Sequence, residues 1–98
     1  MENKSLVDSI VYKGEYFFVT RENYENRKTP IYFVFDNNAI CIAQIKWYSS
    51  WRRFCLYPEG TGTIWDKKCL TKIVDVIDDI TATYIADKVK KEKLEENV

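Results

Sequence analysis

A chain of 98 residues makes one domain with a modest core, because a domain this size buries only about 60–70% of its unfolded surface. Its fifteen basic and fifteen acidic residues cancel, which weighs against a duplex-DNA binder held by phosphate contacts and against an acidic DNA mimic. There is no histidine, so Ser-His-Asp and Cys-His nucleophilic sites and Cys-His zinc sites are excluded together.

The first residues, Met-Glu-Asn-Lys-Ser-Leu, are polar and lack the apolar stretch of a signal peptide. No apolar run approaches the roughly 20 residues of a membrane span. Both features predict a cytoplasmic protein with no membrane association. Residues 6–12 read as a first strand, or as a helical turn leading into one, closed by the turn signal Lys13-Gly14. Residues 16–20 are rich in β-formers and read as a second strand. Residues 23–29 are polar, charged and aperiodic, as a loop would be. Pro30 opens a third strand over 31–35, where a missing N–H does least harm. Asp36-Asn37-Asn38 predicts a tight turn into a strand over 39–48. Ser49-Ser50 turns the chain into a last strand over 51–57, and residues 58–62 end the sheet region.

The period then changes. Asp66 can cap a helix by accepting from first-turn N–H groups. Leu70, Ile73, Ile77, Ile80 and Tyr84 recur at steps of three and four, with Val74 and Val76 broadening the stripe. An amphipathic helix of this kind must lay its stripe on the sheet. The predicted fold is α+β: a mostly antiparallel sheet of four or five strands with one long C-terminal helix packed on a face. The domain spans 1–86, and 87–98 form a charged, helical, fraying tail. The Lys/Glu-rich end has too few heptads for a coiled coil and reads as a solvated helix end.

Two-residue turns would pair Trp51 with Tyr48, Arg52 with Trp47 and Arg53 with Lys46. Val34, Cys41, Ala43, Ile45, Phe54 and Leu56 then share one small apolar face, the seat for the helix. The other face carries Phe33, Phe35, Ile40, Ile42, Gln44, Lys46, Tyr48, Trp51, Arg53 and Tyr57. One helix cannot cover both, so the N-terminal strands, a second copy of the chain or a partner must cover the second. Phe33, Phe35, Ile40 and Ile42 are the expected contact of a homodimer. Each additional turn residue exchanges the faces, so the assignment depends on turn length.

The hairpin over 44–57 combines flat aromatic rings with cations and no intervening acid. Lys46, Tyr48, Trp51, Arg52 and Arg53 are the candidate partner-binding residues, with Trp47 and Tyr57 as possible additional contacts. Trp, Tyr and Arg are the residues enriched at interface hot spots. A second reading stacks single-stranded bases on the rings, with the cations holding phosphates. A third leaves the rings in the core, covered by snorkelling arginines.

Nothing in the sequence assigns a catalytic residue, a cofactor or a metal, although a carboxylate pair could still do acid–base work. Asp75, Asp78 and Asp79 share a helix side, but no further oxygen ligands complete a divalent-ion site, and a solvated acidic face is the simpler reading. Cys41, Cys55 and Cys69 are odd in number and lie in apolar segments, which predicts free buried thiols. Cys-x-x-Cys, Walker and dinucleotide motifs are absent.

The order Lys46-Trp47-Tyr48-x-x-Trp51-Arg52-x-Phe54-Cys55, then Pro58, then Thr63-Ile64-Trp65-Asp66-x-x-Cys69-Leu70 resembles a family of small, uncharacterised bacteriophage and prophage proteins. The resemblance covers residues 44–80. It implies a phage product in a bacterial cytoplasm. Small phage accessory proteins often act by binding, so it also implies a non-enzymatic inhibitor of a bacterial defence or host protein. Several shared positions have folding reasons of their own: Asp66 caps, Cys69 and Leu70 seat the helix, and Pro58 stops the strand.

Overall fold

Runs of β-branched and aromatic residues carry the chain through β1 (Ile10–Lys13), β2 (Phe17–Glu22), β3 (Ile31–Asp36), β4 (Cys41–Tyr48) and β5 (Arg53–Pro58) before the long helix α1 (Lys67–Glu96). The computed structural model of the chain describes residues 9–60 and 64–96, with 92–96 described by backbone alone. Residues 6–8 of the expected first strand, and Thr61, Gly62 and Thr63 after the last one, lie outside the described residues. The strands form one antiparallel meander in the order β1-β2-β3-β4-β5. The α+β fold expected from the sequence is the fold observed, with α1 packed on one face of the sheet.

Period-two alternation builds that face. Phe17 and Val19 of β2, Tyr32 and Val34 of β3, Ala43 and Ile45 of β4 and Phe54 of β5 are buried. Ile73, Val76 and Ile80 of the helix close over them. Tyr12, Trp47, Leu56, Trp65, Ile77 and Tyr84 pack around the margin. Gly14 leaves room for the Tyr12 ring, which any Cβ at that position would overlap. Neither N-terminal strand folds over the second face; both extend the sheet beyond β3.

The turns differ from the expected two-residue pattern, yet most faces stay as predicted. Between β3 and β4 the loop holds three residues: the Asp36 N–H donates to the Ile40 carbonyl at 2.9 Å, and the Ala39 N–H to the Asp36 carbonyl at 3.0 Å. The Asp36 carboxylate accepts from the Asn38 and Ile40 N–H groups at 2.9 and 3.0 Å, and Ala39, not an asparagine, takes the left-handed conformation at φ 63. An odd loop alone would turn β4 over. A bulge between the pairs Phe35↔Cys41 and Val34↔Ala43 adds a second shift and restores the faces of Ala43 and Ile45. Only the residues between turn and bulge change sides. Cys41 lies opposite Phe35 on the outer face, not on the helix seat, and Ile42 packs against the core.

The helix starts where expected. The Asp66 carboxylate accepts from the Cys69 N–H at 2.8 Å, and the Asp66 carbonyl from the Leu70 N–H at 2.9 Å. At 30 residues α1 is about 45 Å long, while five strands span only about 20 Å across. The core contacts of the helix run from Ile73 to Tyr84, with Trp65 packing just ahead of its first turn, and the C-terminal turns continue past them. Leu70 is expected in the core but is 46% exposed, and Val74 is 55% exposed, because at about 100° per residue both fall on one flank of the buried line through Ile73, Val76 and Ile80. Val76 takes the central place instead. The backbone runs through residue 87 without a break, so the expected tail is a direct continuation of the packed helix.

Ile80→Ala should cost about 2–5 kcal/mol in urea unfolding, whereas Leu70→Ala should stay within about 0.5–1 kcal/mol; equal costs would contradict this packing. Acid should reveal the cap. The Asp66 carboxyl is held below the ordinary aspartate range, first by the Cys69 N–H. A carboxyl depressed on folding stabilises above its unfolded pKa, and that contribution fades as pH falls through the folded value. Asp66→Asn keeps an acceptor at the cap without the titration. Its stability should therefore fall less than the parent's between about pH 5 and about pH 2, as measured by circular dichroism melts.

Candidate binding surface

The β4–β5 hairpin closes through a four-residue loop, 49–52, with Tyr48 paired to Arg53 and Trp47 to Phe54. This is two residues longer than expected, so the partners shift while each side chain keeps its face. The Tyr48 carbonyl accepts from the N–H groups of Trp51 at 3.2 Å and Arg52 at 2.8 Å, and the Ser49 carbonyl from Arg52 at 3.2 Å. Such a tight reversal needs a left-handed residue at its end, and Arg52 supplies it at φ 55.

The reversal folds Trp51 back on the sheet. Its ring stands edge-on to Tyr48, with centroids 5.0 Å apart and planes at 90°. Tyr48 meets Tyr57 at 6.4 Å and 75°. The Lys46 ammonium lies 4.5 Å from the Tyr57 ring centroid, a cation–π contact. The Arg53 Nε donates to the Trp51 carbonyl at 3.3 Å, which ties the strand back to the loop. Lys46, Tyr48, Arg53 and Tyr57 thus occupy one sheet face with Trp51 above them, while Arg52 projects from the tip. Trp51 is 63% exposed, the most exposed aromatic ring among the described residues.

Trp47 is on the other face. Its ring packs on Phe54 at 5.2 Å and Tyr84 at 5.1 Å, so it belongs to the helix seat and not to the surface. Arg53 faces Tyr48 rather than Lys46, which faces Cys55. Phe33 and Phe35 lie on the outer face and are half-buried, and Ile40 is exposed beside the β3–β4 turn. Because Ile42 packs inward, it leaves the patch expected for a homodimer. Phe18, stacked on Phe35 at 5.2 Å and 17°, joins that patch; the Phe17-Phe18 pair in a strand already required one ring to point outward. The outer face is graded: Thr20, between Ile10 and Phe33, is buried, and exposure rises toward the hairpin tip.

On the same sheet face as Lys46, the Gln44 amide donates to the Glu59 carboxylate. Burial pushes the Cys41 thiol up and Glu59 adds to the shift. Burial, followed by Asp66, raises Cys69 as well. Raised thiols stay protonated near neutral pH, which makes them poor nucleophiles and poor metal ligands. The three cysteines are free and half-buried rather than fully buried. Asp75, Asp78 and Asp79 are exposed, and no cluster suited to a metal ion occurs among the described residues. No described helix is long and apolar enough to cross a membrane.

No protein-family model, curated protein or solved structure matches this chain.

Among the described residues, two non-glycine residues hold left-handed backbone, Ala39 and Arg52. That conformation costs an L-residue about 1–2 kcal/mol, partly offset by the entropy glycine loses on folding. Ala39→Gly and Arg52→Gly should each stabilise the protein by up to about 1 kcal/mol in denaturant unfolding. Destabilisation by either would contradict the turn geometry.

Proposed function

We propose that this chain is a phage-encoded, non-enzymatic binding protein that inhibits a bacterial host or defence protein by docking its β4–β5 hairpin on an acidic, grooved surface. The observation that carries this reading is the placement of Trp51, Tyr48 and Tyr57 beside Lys46, Arg52 and Arg53 at the most exposed end of the sheet face opposite the helix. The loop hydrogen bonds and edge-on rings preorganise these groups, so docking freezes few rotamers. Rigid aromatic anchors ringed by arginine are what hot spots are made of.

The phage resemblance divides along the same line. Trp47, Phe54 and Trp65 pack on the core and Asp66 caps the helix, which are folding roles. Lys46, Tyr48 and Trp51 pack on rings of the outer face rather than on the core, and Arg52 is exposed, which supports recognition as their role. Zero net charge favours a protein partner over single-stranded nucleic acid, since a strand-binding groove tracks the phosphates with a broad basic excess.

Double replacement of Trp51 and Arg53 by Ala should abolish capture of the partner from infected-host lysate while circular dichroism stays unchanged. Retained capture by the folded variant places the function elsewhere. Titration with single-stranded oligonucleotides across a salt series separates the rival reading: tight binding with a steep salt slope would replace the protein partner by nucleic acid.

A further inference from the structure

On the helix side of the sheet, the overhang of α1 leaves a cleft of about 460 Å³ between the helix and the β2–β3 end of the sheet. Small-molecule sites typically measure about 300–1,000 Å³. Four cations from three separate elements converge there: Arg21 of β2, Lys28 of the following loop, and Lys88 and Lys91 of the helix. Lys88 and Lys91 are three residues apart and so are neighbours on one helix face. Asp87 is the one carboxylate in the lining, which leaves a local charge of 4 − 1 = +3 in a chain whose total is zero.

Arg21 makes this charge informative. It projects from the core face, opposite Tyr32, and its Nε is buried with no hydrogen-bond partner. Arg21 as a whole is half-buried, but buried donors are nearly always satisfied, so this unpaired Nε leaves a donor for a ligand acceptor in the cleft. The Tyr32 phenol is pushed up by burial, pulled down by Arg21 and raised by Asp87, so all three groups meet at the cleft floor. Tyr84 and Phe54 supply an apolar wall.

We propose that this cleft binds a small ligand carrying a di- or triphosphate group, independently of the hairpin surface. A guanidinium fork and several ammonium point charges are the usual means of holding phosphate. A local charge of three matches a polyphosphate better than a single carboxylate. The phosphates could be free or the tail of a nucleotide; the apolar wall leaves room for either.

The test is calorimetric titration of the full chain at low salt with tripolyphosphate and with ATP. Saturable one-to-one binding is expected, weakened by added salt. Lys88→Gln/Lys91→Gln should weaken it about tenfold or more, since both residues are exposed and their loss spares the fold. Arg52→Gln/Arg53→Gln should leave it unchanged. ATP binding tighter than tripolyphosphate supports a nucleotide, and equal binding supports recognition of the phosphates alone. Absence of saturable binding by both probes overturns the proposal. So does wild-type affinity in the Lys88/Lys91 variant, or loss of binding in the Arg52/Arg53 variant.

Discussion

The side of the pleat on which each residue falls is the constraint this structure depends on. A sheet covered by one helix has one face that must be apolar and one that must tolerate water, and each turn residue gained or lost exchanges them. The three-residue turn after Asp36 would have put Ala43 and Ile45 outside and Gln44 and Lys46 under the helix. Burying a lysine there without a partner is far more costly than distorting one strand. The bulge beside Ile42 is the cheaper solution. It confines the error to two residues, of which Ile42 gains by turning inward and Cys41 is small enough for either side.

The same parity sets the candidate surface. Four residues in the β4–β5 loop preserve the faces and also make room for a turn ending in left-handed backbone at Arg52. A glycine would hold that conformation at less cost, so an arginine there suggests selection for its charge. Strain retained where a compatible residue would relieve it is a common mark of a functional position. Ala39 carries similar strain at the other end of β4 with no charge to offer, and the structure gives no recognition reason for it.

Much of this was legible in the residues. Alternation located the strands, steps of three and four located the helix, and Asp66 gave its start. Face assignments for Val34, Ala43, Ile45, Phe54 and Leu56 survived because both turn errors were even in total. Leu70 is misplaced because a stripe read from steps of three and four is broad, and the packed structure centres it on Ile73, Val76 and Ile80, which leaves Leu70 on its flank. The cationic cleft was not legible at all. Arg21, Lys28, Lys88 and Lys91 share no motif, and only the helix overhang brings them together.

That overhang bears on how a neutral chain can carry two basic surfaces. Net charge is a sum, and binding responds to the local field. Asp75, Asp78 and Asp79 lie exposed on the middle of the helix. Beyond the packed window, Lys88, Lys90 and Lys91 follow on the same helix. At physiological ionic strength, charges separated by more than about 8 Å are largely screened. Lys88 stands nine residues beyond Asp79, about 13 Å along the axis. The acidic middle is therefore largely screened from Lys88 and Lys91, while Asp79 lines the adjoining pocket with Arg21 and lowers the field at that end of the cleft. Balanced composition limits non-specific attraction to nucleic acid over the whole molecule while leaving each cationic cluster effective at short range.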